Sequence, residues 1–168
     1  MKPTYLIPGN VLPASVAAMR PYGARGHEGL ALWFGKVDNE VSEVTHVVLP
    51  HGPGLTTHPL FLNLSMKAMV RLTAFADKHE LVWLGQIHSH PKQMLWLSEV
   101  DVEMGVKVQD YLSVVCPFYA QRDTDTFDQC GVHVYDGDGY RSMASAEVSR
   151  RIQLAVAPAE VVRLEVPA

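Results

Sequence analysis

The sequence predicts an α/β fold, a mixed central sheet flanked by helices, and three features carry that expectation. Val82 to Ile87 (V-W-L-G-Q-I) is a short, mostly apolar run that reads as a buried strand. Asn63 to His79, just before it, reads as the main helix, with Leu62, Met66, Met69, Thr73 and Ala76 on one face at helical spacing and the methionines as core filler. After it, Tyr111 to Tyr119 and Gly131 to Tyr135 read as further strands.

The remaining elements follow from local signals. Leu12 to Arg20 reads as a short helix, with Pro13 tolerated in its first turn and Pro21-Tyr22-Gly23 ending it. Gly29 to Val37 and Val44 to Leu49 read as strands joined at Asp38-Asn39, residues that favour turns. Pro50 to Pro59, rich in Gly, Pro and His, reads as a loop. A helix is expected from Ser98 to about Val108, and Gln121 to Gln129 reads as a mobile surface loop. Asp136-Gly137-Asp138-Gly139 marks a hairpin turn before Tyr140 to Met143. Ala146 to Val156 reads as a helix and Val161 to Val166 as a terminal strand or tail. The whole of 1–168 is expected to form one domain, with the segment from about 157 at its periphery.

Composition narrows the function classes. A chain of 168 residues is near the size of one domain and buries roughly 70% of its unfolded surface, so it needs no disulfide or metal to hold its core. Apolar residues make up 48% and charged residues 19%, a globular balance. The net charge of −4 argues against nucleic acid as partner, which calls for a basic stripe. Arg150-Arg151 is the one basic doublet and reads as a solvated face. No apolar run approaches the ~18 residues a membrane span needs, and the N-terminus lacks the apolar stretch of a signal peptide. Two cysteines, Cys116 and Cys130, do not make a disulfide framework or a zinc ribbon. A cytoplasmic protein that keeps both reduced is the expectation.

The chemistry concentrates in H-S-H-P-K-Q-M-L-W-L-S-E-V-D, from His88 to Asp101. His88 and His90 sit at the end of the apolar strand, and side chains two apart on a strand face the same side. Pro91 then stops the ladder. Asp101 falls in the first turn of the following helix, where the helix dipole favours an ionised carboxylate. Two imidazoles, one carboxylate and an open fourth position form the ligand set of a catalytic zinc. The same S-x-x-D is also a capping box, and Ser98 and Asp101 can serve as helix caps in addition. Ser89, between the histidines, faces the other way and reads as structural.

His-Ser-His-Pro, six residues, Ser98, two residues, Asp101 resembles the signature of the JAMM (JAB1/MPN/Mov34) metalloproteases, and about 30 to 145 can be laid on the small bacterial JAB domains. The resemblance implies a single MPN/JAB-like domain and a glutamate just before a strand. Glu28, followed by G-L-A-L-W-F and Gly35, is the best match; Glu40 and Glu43 are competitors. It further implies one Zn²⁺ per chain held by His88, His90 and Asp101, Glu28 as general base and Ser98 as oxyanion donor. The implied reaction is hydrolysis after the C-terminal glycine of a ubiquitin-like protein, by deconjugation or precursor processing, with E1-like and E2-like proteins as pathway partners. Processing of a sulfur-carrier protein, or a catalytically silent MPN scaffold that only binds partners, are the alternatives. His51 and His58, in the 50–59 loop, are read as exposed histidines rather than a second metal site.

Overall fold

The computed structural model describes residues 3–168. Its strands are β1 (Thr4–Pro8), β2 (Leu30–Asp38), β3 (Val41–His51), β4 (Leu55–Thr57), β5 (Leu62–Leu64), β6 (Val82–Ser89), β7 (Leu112–Cys116), β8 (Gly131–Tyr135), β9 (Tyr140–Ser142), β10 (Ile152–Ala155) and β11 (Glu160–Glu165). The helices are α1 (Val11–Gly23), α2 (Met66–Lys78), α3 (Glu99–Met104) and α4 (Ser145–Arg151).

Nine strands form one mixed sheet in the order β10-β1-β3-β2-β6-β7-β8-β9. β11 runs parallel to the second half of β3, on the edge that β1 occupies along the first half. β2 pairs antiparallel with β3 and β6, and β6 pairs parallel with β7. A parallel pair needs a crossover of a dozen or more residues, and here that crossover carries 90–111, including α3.

Alternation along β2 divides the core. Ala31 and Trp33 point to the face covered by α1, where they meet Val16, Met19, Val47, Ile87 and Val114. Leu30, Leu32 and Phe34 point to the face covered by α2, where they meet Ala68, Leu72 and Phe75. α2 starts at Ser65, whose hydroxyl accepts from the Ala68 amide (2.9 Å).

Several segments differ from the sequence reading. The buried stripe of α2 is Ala68, Leu72 and Phe75; Met66 is 81% exposed and Thr73 is also exposed, because the helix begins three residues later and its face is rotated. Leu62 belongs to β5, which pairs with β4 inside the expected 50–59 loop and the residues after it. α1 runs through Pro21 to Gly23, and α3 stops at Met104. β7 ends at Cys116 rather than Tyr119, since Pro117 cannot donate to a ladder. α4 covers only Ser145 to Arg151; Ile152 to Ala155 then pairs with β1, which the opening T-Y-L-I-P did not suggest. Arg151 is buried, not solvated: it donates to Glu147 (2.9 Å) one turn back and to the Pro3 carbonyl (2.9 Å). In the 121–129 segment Thr124 is buried and Phe127 packs edge-on against Trp33, so this stretch is anchored to the core. Both cysteines are free and buried.

The segment after 157 is part of the core. Leu164 and Val166 are buried against Val48 and α2 residues. Leu164→Ala is expected to cost about 2–3 kcal/mol, whereas Leu154→Ala, on a side chain 76% exposed, should cost under about 0.5 kcal/mol. Chemical denaturation of the two variants side by side measures the difference.

Candidate metal centre

Four side chains from three parts of the chain meet at the end of β6. His88 lies within the strand and faces the α2 side, paired in register with Leu30 and Val115. His90 lies just beyond it; its amide still donates to the Cys116 carbonyl (2.9 Å), so the β6–β7 ladder holds it until Pro91 ends the pairing. Glu28 precedes β2. Its neighbour Gly29 exchanges two hydrogen bonds with Ser89: the Ser89 amide donates to the Gly29 carbonyl (3.1 Å), and the Gly29 amide donates to Ser89 Oγ (2.8 Å). Ser89 is therefore the clamp that sets Glu28 beside the histidines. The Glu28 amide donates in turn to the His58 carbonyl (3.0 Å).

Asp101 arrives on the crossover. The loop after Pro91 lies flat on the sheet at Gly131, where a Cβ would stand 1.8 Å from the Leu95 carbonyl oxygen. Ser98 then caps α3 in a full capping box: Ser98 Oγ accepts from the Asp101 amide (3.1 Å), and Asp101 Oδ2 accepts from the Ser98 amide (2.7 Å). The same Oδ2 stands 3.0 Å from His90 Nε2 and 3.4 Å from His88 Nε2. The cap and the cluster share one oxygen.

The two Nε2 atoms are 2.9 Å apart, and Glu28 Oε1 is 3.8 Å from His90 Nε2. Glu28, His88 and His90 are each 2% exposed or less. Burial, reinforced by the Asp101 charge, pushes the Glu28 carboxyl up to about 8. Burial would raise Asp101 too, but hydrogen bonds with His88, His90 and the Ser98 amide overrule it and hold that carboxyl below the usual carboxylate range. Burial holds the His90 imidazole below its ordinary value, against the pull of Asp101.

A cation fits this arrangement. Ligand atoms of Glu28, His88, His90 and Asp101 all lie within 4.8 Å of one another, the one such group of His, Cys, Asp or Glu among the described residues. Two buried imidazoles turning Nε2 toward each other can share only one proton in that contact, and Glu28 Oε2 is buried with no hydrogen-bond partner. Each histidine's Nδ1 is likewise without a partner in hydrogen-bond geometry, although the Trp96 carbonyl is close enough to favour protonation of His90. A divalent ion removes the conflict between the facing nitrogens and offsets the paired carboxylates.

The structure brings together His88, His90, Asp101, Glu28 and the Ser98 cap. It leaves the other two glutamates far off: Glu43 pairs with Lys36 near the opposite end of β2, and Glu40 sits in the turn before β3. His58 stacks on Phe61 and His27 contacts Thr57 Oγ1, so these two histidines are engaged locally. One residue at the centre carried no sequence signal. Tyr119 sits in a left-handed turn after Pro117, with φ 52°, and its hydroxyl reaches the Pro59 carbonyl (2.8 Å).

Comparison with known proteins bears on the class. No family model matches the chain. The chain is 27% identical over 155 residues to a probable metalloprotease of Sinorhizobium fredii, covering 90% of this chain and 94% of that protein. It is 30% identical over 99 residues to the AMSH-like protease of Homo sapiens, and 28% identical over 142 residues to the STAM-binding protein-like A of Danio rerio. Those matches take in 55% and 75% of this chain but only 21% and 33% of the relatives' lengths. A solution structure of a Desulfitobacterium hafniense protein shares the fold, with a TM-score of 0.61, 19% identity, and coverage of 92% and 95% of the two chains. Metalloprotease relatives together with a buried His-His-Asp-Glu cluster define a metallopeptidase. These relatives support assignment to the JAMM (JAB1/MPN/Mov34) family. No helix among the described residues is long and apolar enough to cross a membrane.

The raised Glu28 carboxyl has a signed consequence for the metal-free protein. Between its unfolded value of about 4.3 and its folded value of about 8, the folded state holds a proton that the unfolded chain has lost, so stability falls as pH rises through that window. The lowered groups act elsewhere: Asp101 costs stability only in acid, and His90 only below about 6.5. From pH 7 to 8 the thermal midpoint of metal-stripped protein is expected to fall, and the gain on adding one equivalent of zinc to grow. An equal gain at both pH values would mean that Glu28 is not the proton reservoir.

Proposed function

We propose that the chain is a zinc-dependent isopeptidase or peptidase that cleaves directly after the C-terminal glycine of a ubiquitin-like protein. The observation that carries this reading is a groove of about 220 Å³ that ends at His88 and Asp101. Leu62, Asn63 and Leu64 of β5 form one wall, Met104 to Val106 the other, and Trp83 and Gln86 line it between them. Among the described residues β5 pairs with β4 alone, so its other edge offers itself to an added strand. A narrow groove beside an open strand edge suits an extended tail whose last residues lack side chains. The curated relatives named probable metalloprotease and AMSH-like protease support the peptidase part of this reading.

His88, His90 and Asp101 would hold the ion and Glu28 would stand beside it. A zinc ion held by these residues would supply Lewis acidity for the scissile carbonyl and would lower the pKa of a water to about 7. Glu28 takes the proton of the attacking water on its carboxylate and delivers it to the leaving amine. Its burial and the nearby Asp101 charge suit the task, since both raise the carboxyl's affinity for the proton it carries. Ser98 Oγ accepts from the Asp101 amide, which leaves its own hydrogen free to donate to the oxygen that gains charge in the transition state. Two free, buried cysteines support a cytoplasmic setting, and E1-like and E2-like proteins are the natural pathway partners of such a modifier.

Four variants separate the roles. Glu28→Gln should keep fold and one zinc per chain, by elemental analysis, and lose most turnover; loss of activity from Glu43→Gln instead would move the base. The His88→Ala, His90→Ala double variant should lose zinc. Ser98→Ala should lower stability by about 1 kcal/mol as a lost cap and turnover by about 10² as a lost donor. A destabilised variant with unchanged turnover leaves the cap alone.

The substrate is tested by mass spectrometry of zinc-loaded protein incubated with a ubiquitin-like protein extended or conjugated at its C-terminus. Products ending at the terminal glycine are expected, with cleavage abolished when that glycine is replaced by a bulky residue. Cleavage indifferent to the tail would make the chain a general peptidase. Stoichiometric binding without cleavage would make it a scaffold.

A further inference from the structure

Phe118, Tyr119 and Ala120 all adopt left-handed backbone conformations, with φ of 55°, 52° and 58°. Side chains with a Cβ rarely enter this region, and three in succession persist only where the surroundings hold them. The surroundings do so at every residue. The Phe118 amide donates to the Lys92 carbonyl (2.7 Å) and the Tyr119 amide to the His90 carbonyl (2.8 Å). The Ala120 carbonyl accepts from Arg20 Nε (3.2 Å), and the Tyr119 carbonyl from Gln121 Nε2 (3.0 Å). The Arg122 guanidinium lies 3.5 Å from the centre of the Phe118 ring. Gly23 closes α1 against the turn; a Cβ there would stand 1.9 Å from the Tyr119 carbonyl oxygen.

The turn sends the Tyr119 side chain to the connection between β4 and β5, where its hydroxyl donates to the Pro59 carbonyl (2.8 Å). The adjoining carbonyl, that of His58, is the acceptor for the Glu28 amide (3.0 Å). The chain of contacts therefore runs from the His90 backbone through Tyr119 to the His58–Pro59 segment, and from there to Glu28. The charge of Glu28 also acts on the Tyr119 phenol, adding to burial in raising it above its ordinary value, which places the ring within electrostatic reach of the carboxylate.

We propose that Tyr119 is a positioning residue: through the Pro59 carbonyl it fixes the segment that holds Glu28, and the left-handed turn after Pro117 serves to aim it. The role rests on the reading of Glu28 as the general base, but the placement of Glu28 is measurable without turnover. Tyr119→Phe removes one oxygen and keeps the ring, so the turn and the core beneath it are retained.

In zinc-loaded Tyr119→Phe, hydrogen exchange followed by NMR should show the Glu28 amide exchanging at least about tenfold faster than in the parent, the scale set by loss of one supporting hydrogen bond. Amides of β6 and β7 should be unchanged, and zinc should stay at one per chain. With the C-terminally extended ubiquitin-like protein as probe, kcat should fall about tenfold while KM stays within about twofold, as for a group that orients the base without binding substrate. If the substrate reading is wrong, no turnover appears in the parent either, and the exchange experiment still decides. Unchanged exchange at Glu28 overturns the proposal, and so does a uniform rise across the sheet, which would make Tyr119 a packing residue only.

Discussion

The reciprocal hydrogen bonds between Gly29 and Ser89 are the contact on which the centre depends. Glu28 carries a buried carboxyl and lies some sixty residues from the histidines in sequence, and nothing intrinsic to a loop residue would keep it there. The β2–β6 ladder brings Leu30 opposite His88, and the Ser89 side chain extends the pairing one residue further. Ser89 points to the α1 side and its two neighbours to the α2 side, so one strand end supplies both the ligands and the clamp. The alternation of a β-strand makes this possible: a tripeptide His-Ser-His turns two members to one face and leaves the third, on the other face, to serve the scaffold.

The electrostatics of the cluster follow from the same geometry. Burial acts on both carboxyls in the same direction, yet they diverge because their hydrogen-bond partners differ. Asp101 is answered by two imidazoles and a backbone amide, whereas the Glu28 carboxyl has His90 Nε2 at 3.8 Å from Oε1 and its Oε2 left bare. Two acids of similar intrinsic strength thus come to differ widely. A pair separated in this way can divide labour, one remaining a permanent anion and the other exchanging protons near neutrality.

Much of this was legible in the sequence. The apolar run ending in His88, the proline after His90 and the S-E-V-D box are each local signals, and each produced the expected element. Glu28 was found through a resemblance, since its neighbours G-L-A-L-W-F-G say strand but do not say what lies across from it. The errors share a cause. β1 and β10 are short strands completed by a partner almost the whole chain away, β4 and β5 are three-residue strands completed only by each other, and period alone cannot reveal a partner. The buried stripe of α2 was misplaced because Leu62 and Met66 extend its apolar pattern beyond the Ser65 cap. Arg151 read as solvated because its acceptors include Pro3, almost the full chain length away. Tyr119 left no trace, for a left-handed turn built without glycine is imposed by its neighbours.

α3 has six residues, and none of them is buried. Such a helix has too few turns to sustain itself and no apolar face to hold it down. Its order is borrowed from the Ser98 cap and from Asp101, whose single oxygen serves cap and cluster at once. Fraying of this one helix and loss of one ligand are thus the same event. Any ion held there would lose its Asp101 ligand when this short surface helix unwinds, while the histidines stayed fixed on the sheet.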